Sequence, residues 1–226
     1  MIGYNELINS IFDSAYFEKP ASRFSLLEKQ NTSGKLHKVD FVLSGNAIVI
    51  KNDILSETSR GYKKIDNSVS FKRDCDGLLL IDKDDKHYLV FIELKSSFNE
   101  VANSAIYQIA SSYVRLKHYL MAIDSYNAGN YEEIGIIISY PYTEKVGDNE
   151  VLSRREGLIK GGYGTFVDRC KMDFRNGKHI LMNSSDIGID VLSISSNLQL
   201  NKFKIININV PDGALNATVD LDKYLV

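Results

Sequence analysis

Residues 76–95 decide the fold, and they read DGLLLIDKDDKHYLVFIELK. Two apolar runs, at residues 77–81 and 88–92, flank the charged residues 82–87. This pattern is typical of two β-strands joined by a tight polar turn, so we predict an antiparallel hairpin whose second strand continues to Lys95. Because the second run is apolar at consecutive positions, we expect that strand to be buried on both faces.

The rest of the chain adds helices and strands around this hairpin. Apolar residues recur every three or four positions after it, which predicts a helix over residues 99–126, and residues 133–140 predict another buried strand that ends at Pro141. Less regular patterns predict a helix at residues 6–12 and a hairpin at 39–50 that turns at Ser44-Gly45-Asn46. Residues 52–70 and 143–178 are expected to be irregular polar segments. Further strands or strand–helix mixtures are predicted at 179–182, 187–194 and 203–210. The order strand, strand, long helix, strand predicts an α/β protein with a mixed sheet.

The composition is that of an ordinary globular chain. Among its 226 residues, 27 Lys and Arg oppose 29 Asp and Glu, which gives a net charge of −2 and excludes a strongly basic nucleic-acid-binding protein, although a local basic surface is compatible with it. The length favours one domain, with a core at about residues 1–141 and a strand-rich extension at about 142–226. No apolar run approaches the roughly 20 residues of a membrane span, and the first residues lack a signal-peptide pattern, so we expect a cytoplasmic protein.

Charged residues stand where the two hairpin strands meet. Asp76 precedes the first strand, and Glu93 and Lys95 end the second. Because side chains alternate along a strand, Glu93 and Lys95 share a face, and antiparallel pairing places Asp76 beside Glu93. Two adjacent carboxylates attract Mg²⁺, and a nearby lysine can orient or deprotonate a water or stabilise charge on a phosphate. The residues therefore predict metal-assisted hydrolysis of phosphodiesters.

These residues resemble the PD-(D/E)xK nuclease superfamily, which has the restriction-endonuclease-like fold. The resemblance is carried by Asp76 before the first strand and by Glu93-Leu94-Lys95 at the end of the second. It implies that Asp76 and Glu93 bind the metal with the Leu94 carbonyl, and that Lys95 is the motif lysine. The RecB-type branch adds a Gln on the next helix, which implies a role for Gln108, and a Tyr four positions later, where this chain has Ser112 followed by Tyr113.

Other residues remain open as members of the site. Asp74 shares a strand face with Asp76 if the first strand begins early, and Glu6 and Glu57 are weaker candidates that surface positions explain as well. The thiol of Cys75 is disfavoured as a nucleophile because flanking carboxylates raise a thiol pKa. Basic residues on predicted loops are candidates for contacts with a phosphate backbone, or else are solvated surface charges. They are Lys72, Arg73, Arg154, Arg155 and Lys160.

The resemblance implies a Mg²⁺-dependent deoxyribonuclease, in which Mn²⁺ can replace Mg²⁺. It implies a DNA endonuclease of the restriction or defence type, with RNA as a second substrate candidate and a homodimer as the working form. One alternative is a non-catalytic α/β module that binds nucleic acid or a protein partner and carries a decayed or coincidental acidic cluster. Glu93 and Lys95 would then form a solvated strand end and pair with each other or with a neighbour. Another is a phosphatase-like hydrolase of small molecules.

Overall fold

The computed structural model describes residues 3–28, 36–58, 64–65, 69–70, 73–98, 104–143, 153, 157, 159, 165–190 and 194–225. The α-helices of this part of the chain include α1 (Tyr4–Ile8), α2 (Asp53–Thr58), α3 (Ile106–Leu120) and α4 (Phe166–Arg175). Its strands are β1 (Ala21–Leu27), β2 (Lys38–Ile50), β3 (Lys64–Ile65), β4 (Val69–Ser70), β5 (Gly77–Lys83), β6 (Lys86–Lys95), β7 (Glu132–Ser139), β8 (Ile180–Met182), β9 (Phe203–Asn209) and β10 (Asn216–Asp220). Within these ranges no helix combines the length and apolar character needed to cross a membrane.

One mixed sheet of eight strands includes both the first and the last strand of the described chain. Its order is β1-β2-β5-β6-β7-β9-β8, and β10 pairs with β2. β5 and β6 form the expected antiparallel hairpin, whereas β6 pairs with β7, and β7 with β9, in parallel. The structure thus confirms the α/β class with a mixed sheet. The strands that follow residue 141 complete the same sheet that the earlier strands begin.

Strand β2 corrects the predicted hairpin at residues 39–50. This segment is one strand of 13 residues, which pairs with β1 and β10 along its first part and with β5 along its last part. A Cβ atom at Gly45 would lie 2.1 Å from the carbonyl oxygen of Asp82 on β5. Glycine is therefore required here by the close approach of two strands, and the sequence signal that resembles a turn marks a strand interior.

Two predicted helices are longer than the observed ones. α1 ends at Ile8, because the side chains of Asn9 and Ser10 bond to main-chain carbonyls of the helix and compete with its continuation. α3 ends at Leu120, where i to i+3 hydrogen bonds from Ala122 and Ile123 tighten the chain into a turn. The predicted start of this helix at residues 99–103 lies outside the described residues.

The structure also revises the segments with weaker patterns. Residues 52–70 contain α2 and the β3–β4 pair, and the polar stretch 143–178 contains α4. Residues 187–194 were predicted as a strand or a strand–helix mixture; Ile187 instead ends a 3₁₀ turn at Ser184–Ile187, and residues 188–190 do not form a strand. Of the other segments predicted as strands or strand–helix mixtures, 179–182 and 203–210 contain the strands β8 and β9.

Apolar cores cover both faces of the central strands. On β6, Leu89 and Phe91 belong to the core that includes α1 and α3, whereas Val90 and Ile92 belong to the second core. Apolar side chains of β1, β2 and β10 close this second core. β6 is therefore buried at every position from Tyr88 to Leu94, which confirms the burial expected from its continuous apolar run.

Candidate active site

The register of the hairpin places the predicted acids side by side. Gly77 pairs with Ile92 as the last pair of the β5–β6 ladder, so the next position along β5 brings Asp76 opposite Glu93. Asp76 Oδ2 accepts a hydrogen bond from the Leu94 N–H at 2.8 Å. The Asp76 carboxylate is thus held across the strand end where sequence reasoning expected it.

Glu93 and Lys95 form a buried ion pair beside Asp76. Lys95 Nζ lies 2.5 Å from Glu93 Oε1, and the two side chains are 13% and 1% exposed. The strand end is therefore not solvated. The other carboxylate oxygen, Glu93 Oε2, is buried and has no hydrogen-bond partner among the described residues. Buried polar atoms are nearly always bonded, so this oxygen is suited to a ligand such as a cation.

Electrostatics favour an extra proton at this pair. Burial raises the pKa of Glu93 well above its usual range and the Asp76 carboxylate raises it further, against a lowering by Lys95. Burial is the largest single effect and lowers the pKa of Lys95, but the charge and hydrogen bond of Glu93 and the charges of the other nearby carboxylates together raise the net pKa. The carboxylate of Glu28, just after β1, also raises both pKa values. A cation at the two acids would compete with a bound proton.

The residues present fit a Mg²⁺ ion. Asp76 and Glu93 supply two carboxylates, and the Leu94 carbonyl lies on the same strand edge as its N–H, which faces Asp76. No group of three or more His, Cys, Asp and Glu side chains suited to a metal occurs in the described part of the chain. Mg²⁺ needs no such group, because it takes one or two carboxylates and completes its shell with waters and phosphate oxygens.

Asp74 points to a different partner from Asp76. Its carboxylate bonds to Arg115 Nη2, and the Arg115 side chain is fully buried. The Gln108 amide donates to the Asp74 carbonyl at 3.1 Å, so Gln108 contacts the main chain that leads into the site. Asp76 therefore occupies the position beside Glu93, and Asp74 is engaged by α3.

The other candidates form hydrogen bonds with groups other than the two acids. Tyr113 donates to Glu133 at 2.7 Å and accepts from Lys117, near the start of β7. Glu6 is exposed and accepts from the Gly3 N–H at 2.6 Å, at the start of α1. Glu57 accepts a hydrogen bond from a tyrosine hydroxyl on the surface.

The basic candidates are largely outside the described residues. Arg73 is described, and its carbonyl accepts a hydrogen bond from Arg115 at 2.7 Å. Lys72, Arg154, Arg155 and Lys160 lie outside the described residues. Their part in nucleic-acid binding stays a prediction.

Of the side chains that bond to residues 73–75, Gln108 was predicted as a site residue, whereas Asn52, Ser112 and Arg115 were missed in the sequence. Ser112 Oγ accepts from the Cys75 N–H at 2.9 Å, and Asn52 donates to the Cys75 carbonyl at 2.9 Å. Gln108, Ser112 and Arg115 are spaced by four and three residues on α3, so they lie on one helix face. Polar residues at this helical spacing are the signal that could have identified Ser112 and Arg115 together with Gln108. Burial raises the pKa of the Cys75 thiol. The thiol is therefore unsuited to act as a nucleophile, and Cys75 contributes its main-chain N–H and carbonyl instead.

Comparisons with known proteins leave the site to be interpreted from its own geometry. No protein-family model matches the chain, and no curated protein or solved structure matches it either.

Proposed function

We propose that this protein is a Mg²⁺-dependent nuclease that hydrolyses phosphodiester bonds in DNA. The observation that carries the proposal is the buried Glu93 carboxylate. Asp76 lies opposite it, Lys95 bonds to one of its oxygens, and its other oxygen has no hydrogen-bond partner among the described residues. A carboxylate in this position is costly unless it is paired or binds a cation.

The side chains divide the chemistry between them. Asp76 and Glu93 would hold Mg²⁺ with the Leu94 carbonyl, and the bound ion supplies a water of lowered pKa and stabilises negative charge. The Leu94 N–H orients the Asp76 carboxylate. The pKa of Lys95 is raised, so the ammonium keeps its proton at neutral pH. This favours a role in stabilising charge on a phosphate oxygen over a role as a base.

The choice of substrate rests on the resemblance to PD-(D/E)xK nucleases. That resemblance supports DNA over RNA and an endonuclease of the restriction or defence type that acts in the cytoplasm as a homodimer. The fold class is compatible with this assignment but hosts many activities, so the site carries the proposal.

Plasmid cleavage tests the proposal directly. Purified protein with Mg²⁺ or Mn²⁺ should nick or linearise supercoiled DNA, and Lys95→Ala should slow cleavage by about 10²- to 10³-fold, the loss typical of a removed charge-stabilising donor. Lys86→Ala is the matched control, because Lys86 starts the same strand and is half exposed in an ion pair with Glu132. Equal cleavage by Lys95→Ala and the unchanged protein would refute the assignment of the site.

A non-catalytic α/β module is the second candidate. The ion pair between Lys95 and Glu93 favours it, because this pair neutralises both charges without a cation. A calorimetric titration with Mn²⁺ separates the two. Heat that disappears in Asp76→Asn and Glu93→Gln supports the nuclease, whereas no heat with the unchanged protein supports the module.

A further inference from the structure

The β5–β6 ladder stops one pair earlier than its geometry allows. Hydrogen-bonded pairs alternate along an antiparallel ladder, and Gly77–Ile92 is followed two residues on by Cys75 and Leu94. The Cys75 N–H and carbonyl are instead bonded to side chains outside the sheet. The Leu94 N–H is taken by the Asp76 carboxylate. The position of Asp76 therefore depends on the side chains that bond to residues 73–75.

Arg115 is the central group that holds them. It is fully buried, and its guanidinium donates to the carbonyls of Ser111 at 3.3 Å, Leu55 at 3.2 Å and Arg73 at 2.7 Å, and to the Asp74 carboxylate. Four of the five guanidinium N–H groups thus have acceptors on α3, α2 and the segment leading to Asp76. A lysine offers three donors from one point and cannot reproduce this planar arrangement.

We infer that Arg115 and Asp74 are positioning residues, which fix residues 73–75 away from β6 so that the Asp76 carboxylate lies opposite Glu93 and on the Leu94 N–H. A buried cation is destabilising unless its partners compensate for it. Among the described residues, the partners of Arg115 outside α3 belong to α2 and to this segment. An effect of Arg115 and Asp74 on catalysis rests on the proposed function. Their effect on the hydrogen bond between Asp76 and the Leu94 N–H can be measured without any metal.

The same helix provides a matched control. Lys117 is 5% exposed and pairs with Glu133 at 2.8 Å. Glu133 pairs with Leu89 on β6, which is four residues or about 13 Å from Glu93 along the strand. Lys117→Met removes a buried cation from α3 without touching residues 73–76.

Amide hydrogen exchange of the metal-free protein, followed by NMR, tests the inference. The Leu94 rate is divided by the Ile92 rate, because Ile92 lies in the intact ladder and reports global opening. Asp76→Ala and Arg115→Lys should each raise this ratio by up to about tenfold, the effect of one lost hydrogen bond. Asp74→Asn is the milder variant should Arg115→Lys not fold, and Lys117→Met should leave the ratio unchanged. An unchanged ratio in the Arg115 and Asp74 variants, or in Asp76→Ala, would overturn the inference.

Titration with Mn²⁺ separates this inference from the proposed function. Loss of a contact that supports a metal ligand lowers affinity by about 10- to 100-fold, and we expect this for Arg115→Lys but not for Lys117→Met. If the unchanged protein binds Mn²⁺ through Asp76 and Arg115→Lys binds it equally well, the positioning role is refuted and the proposed function stands. If the unchanged protein binds no Mn²⁺, the proposed function fails, and the exchange ratio still decides the positioning role.

Discussion

Cation binding at Asp76 and Glu93 should become tighter as the pH rises, because a proton must leave before the cation enters. Burial raises the pKa of Glu93 well above its usual range, and the Asp76 carboxylate raises it further. Glu93 is 1% exposed, so solvent screens this effect little. A cation that displaces one proton gains up to about tenfold in affinity per pH unit, or about 1.4 kcal/mol. The slope applies below the raised pKa of Glu93 and flattens above it.

Isothermal titration calorimetry with Mn²⁺ measures both the slope and the proton. Titrations across the range from about pH 5.5 to pH 8, each repeated in two buffers with different ionisation enthalpies, give the dissociation constant and the number of protons released. We expect release of close to one proton at the acidic end and less as the pH increases. A dissociation constant independent of pH, with no proton released, would refute the reasoning, because Glu93 would then be ionised before the cation arrives.

Glu93→Gln examines the same raised pKa without metal. A carboxyl group whose pKa is raised by folding stabilises the folded state below its unfolded pKa, and this contribution is lost as the pH rises through the folded pKa. As the pH increases from the ordinary Glu pKa of 4.5, the free energy of unfolding of the Gln variant should therefore rise relative to that of the unchanged protein. Lys95 adds no slope in this range because its pKa lies above its ordinary value of 10.5. Chemical denaturation of both proteins at several pH values provides the comparison, and a constant difference contradicts the raised pKa.

Two further predictions concern the fold. Gly45→Ala should lower the free energy of unfolding by about 3 kcal/mol, since its Cβ would lie 2.1 Å from the Asp82 carbonyl oxygen, whereas Gly3→Ala meets its nearest atom at 3.6 Å and is the control in urea denaturation. Cys75 and Cys170 are both fully buried, and burial raises the pKa of both thiols, so a thiol reagent such as Ellman's should modify neither until the protein is unfolded. Rapid modification of one thiol in the native protein would contradict the structure.

The hairpin and its two acids could be predicted because their signals are local. Residues 77–95 contain both strands and the turn, so the register that joins Asp76 to Glu93 follows from counting along one short segment. The hairpin at residues 39–50 was predicted wrongly because the reason for Gly45 is not local. The residue that requires a glycine there is Asp82 on another strand. Sequence spacing carries no information about a partner that only folding brings close.

The missed elements share weak apolar patterns. α4 buries only Cys170 and Phe174, and β10 buries only Val219, so neither shows the regular apolar spacing on which sequence reasoning depends. β10 is stabilised by pairing in parallel with β2, more than 170 residues earlier in the chain. Arg115 was missed for a related reason, because charged residues are expected on helix surfaces and a fully buried one is rare.

The candidate site lies where β6 extends beyond its antiparallel partner β5. β6 continues to Lys95, but its antiparallel partner β5 begins at Gly77, opposite Ile92. β7 pairs with β6 through to Lys95, so the overhanging residues stay extended although one edge has lost its strand. On that edge the Leu94 main chain faces Asp76 in place of a ladder partner. A longer β5 would bond Leu94 through Cys75 and leave its N–H unavailable to the Asp76 carboxylate. If the inferred positioning role of Arg115 is correct, the contacts of α3 with residues 73–75 hold this segment away from β6, and the proposed activity depends on them as well as on the two carboxylates.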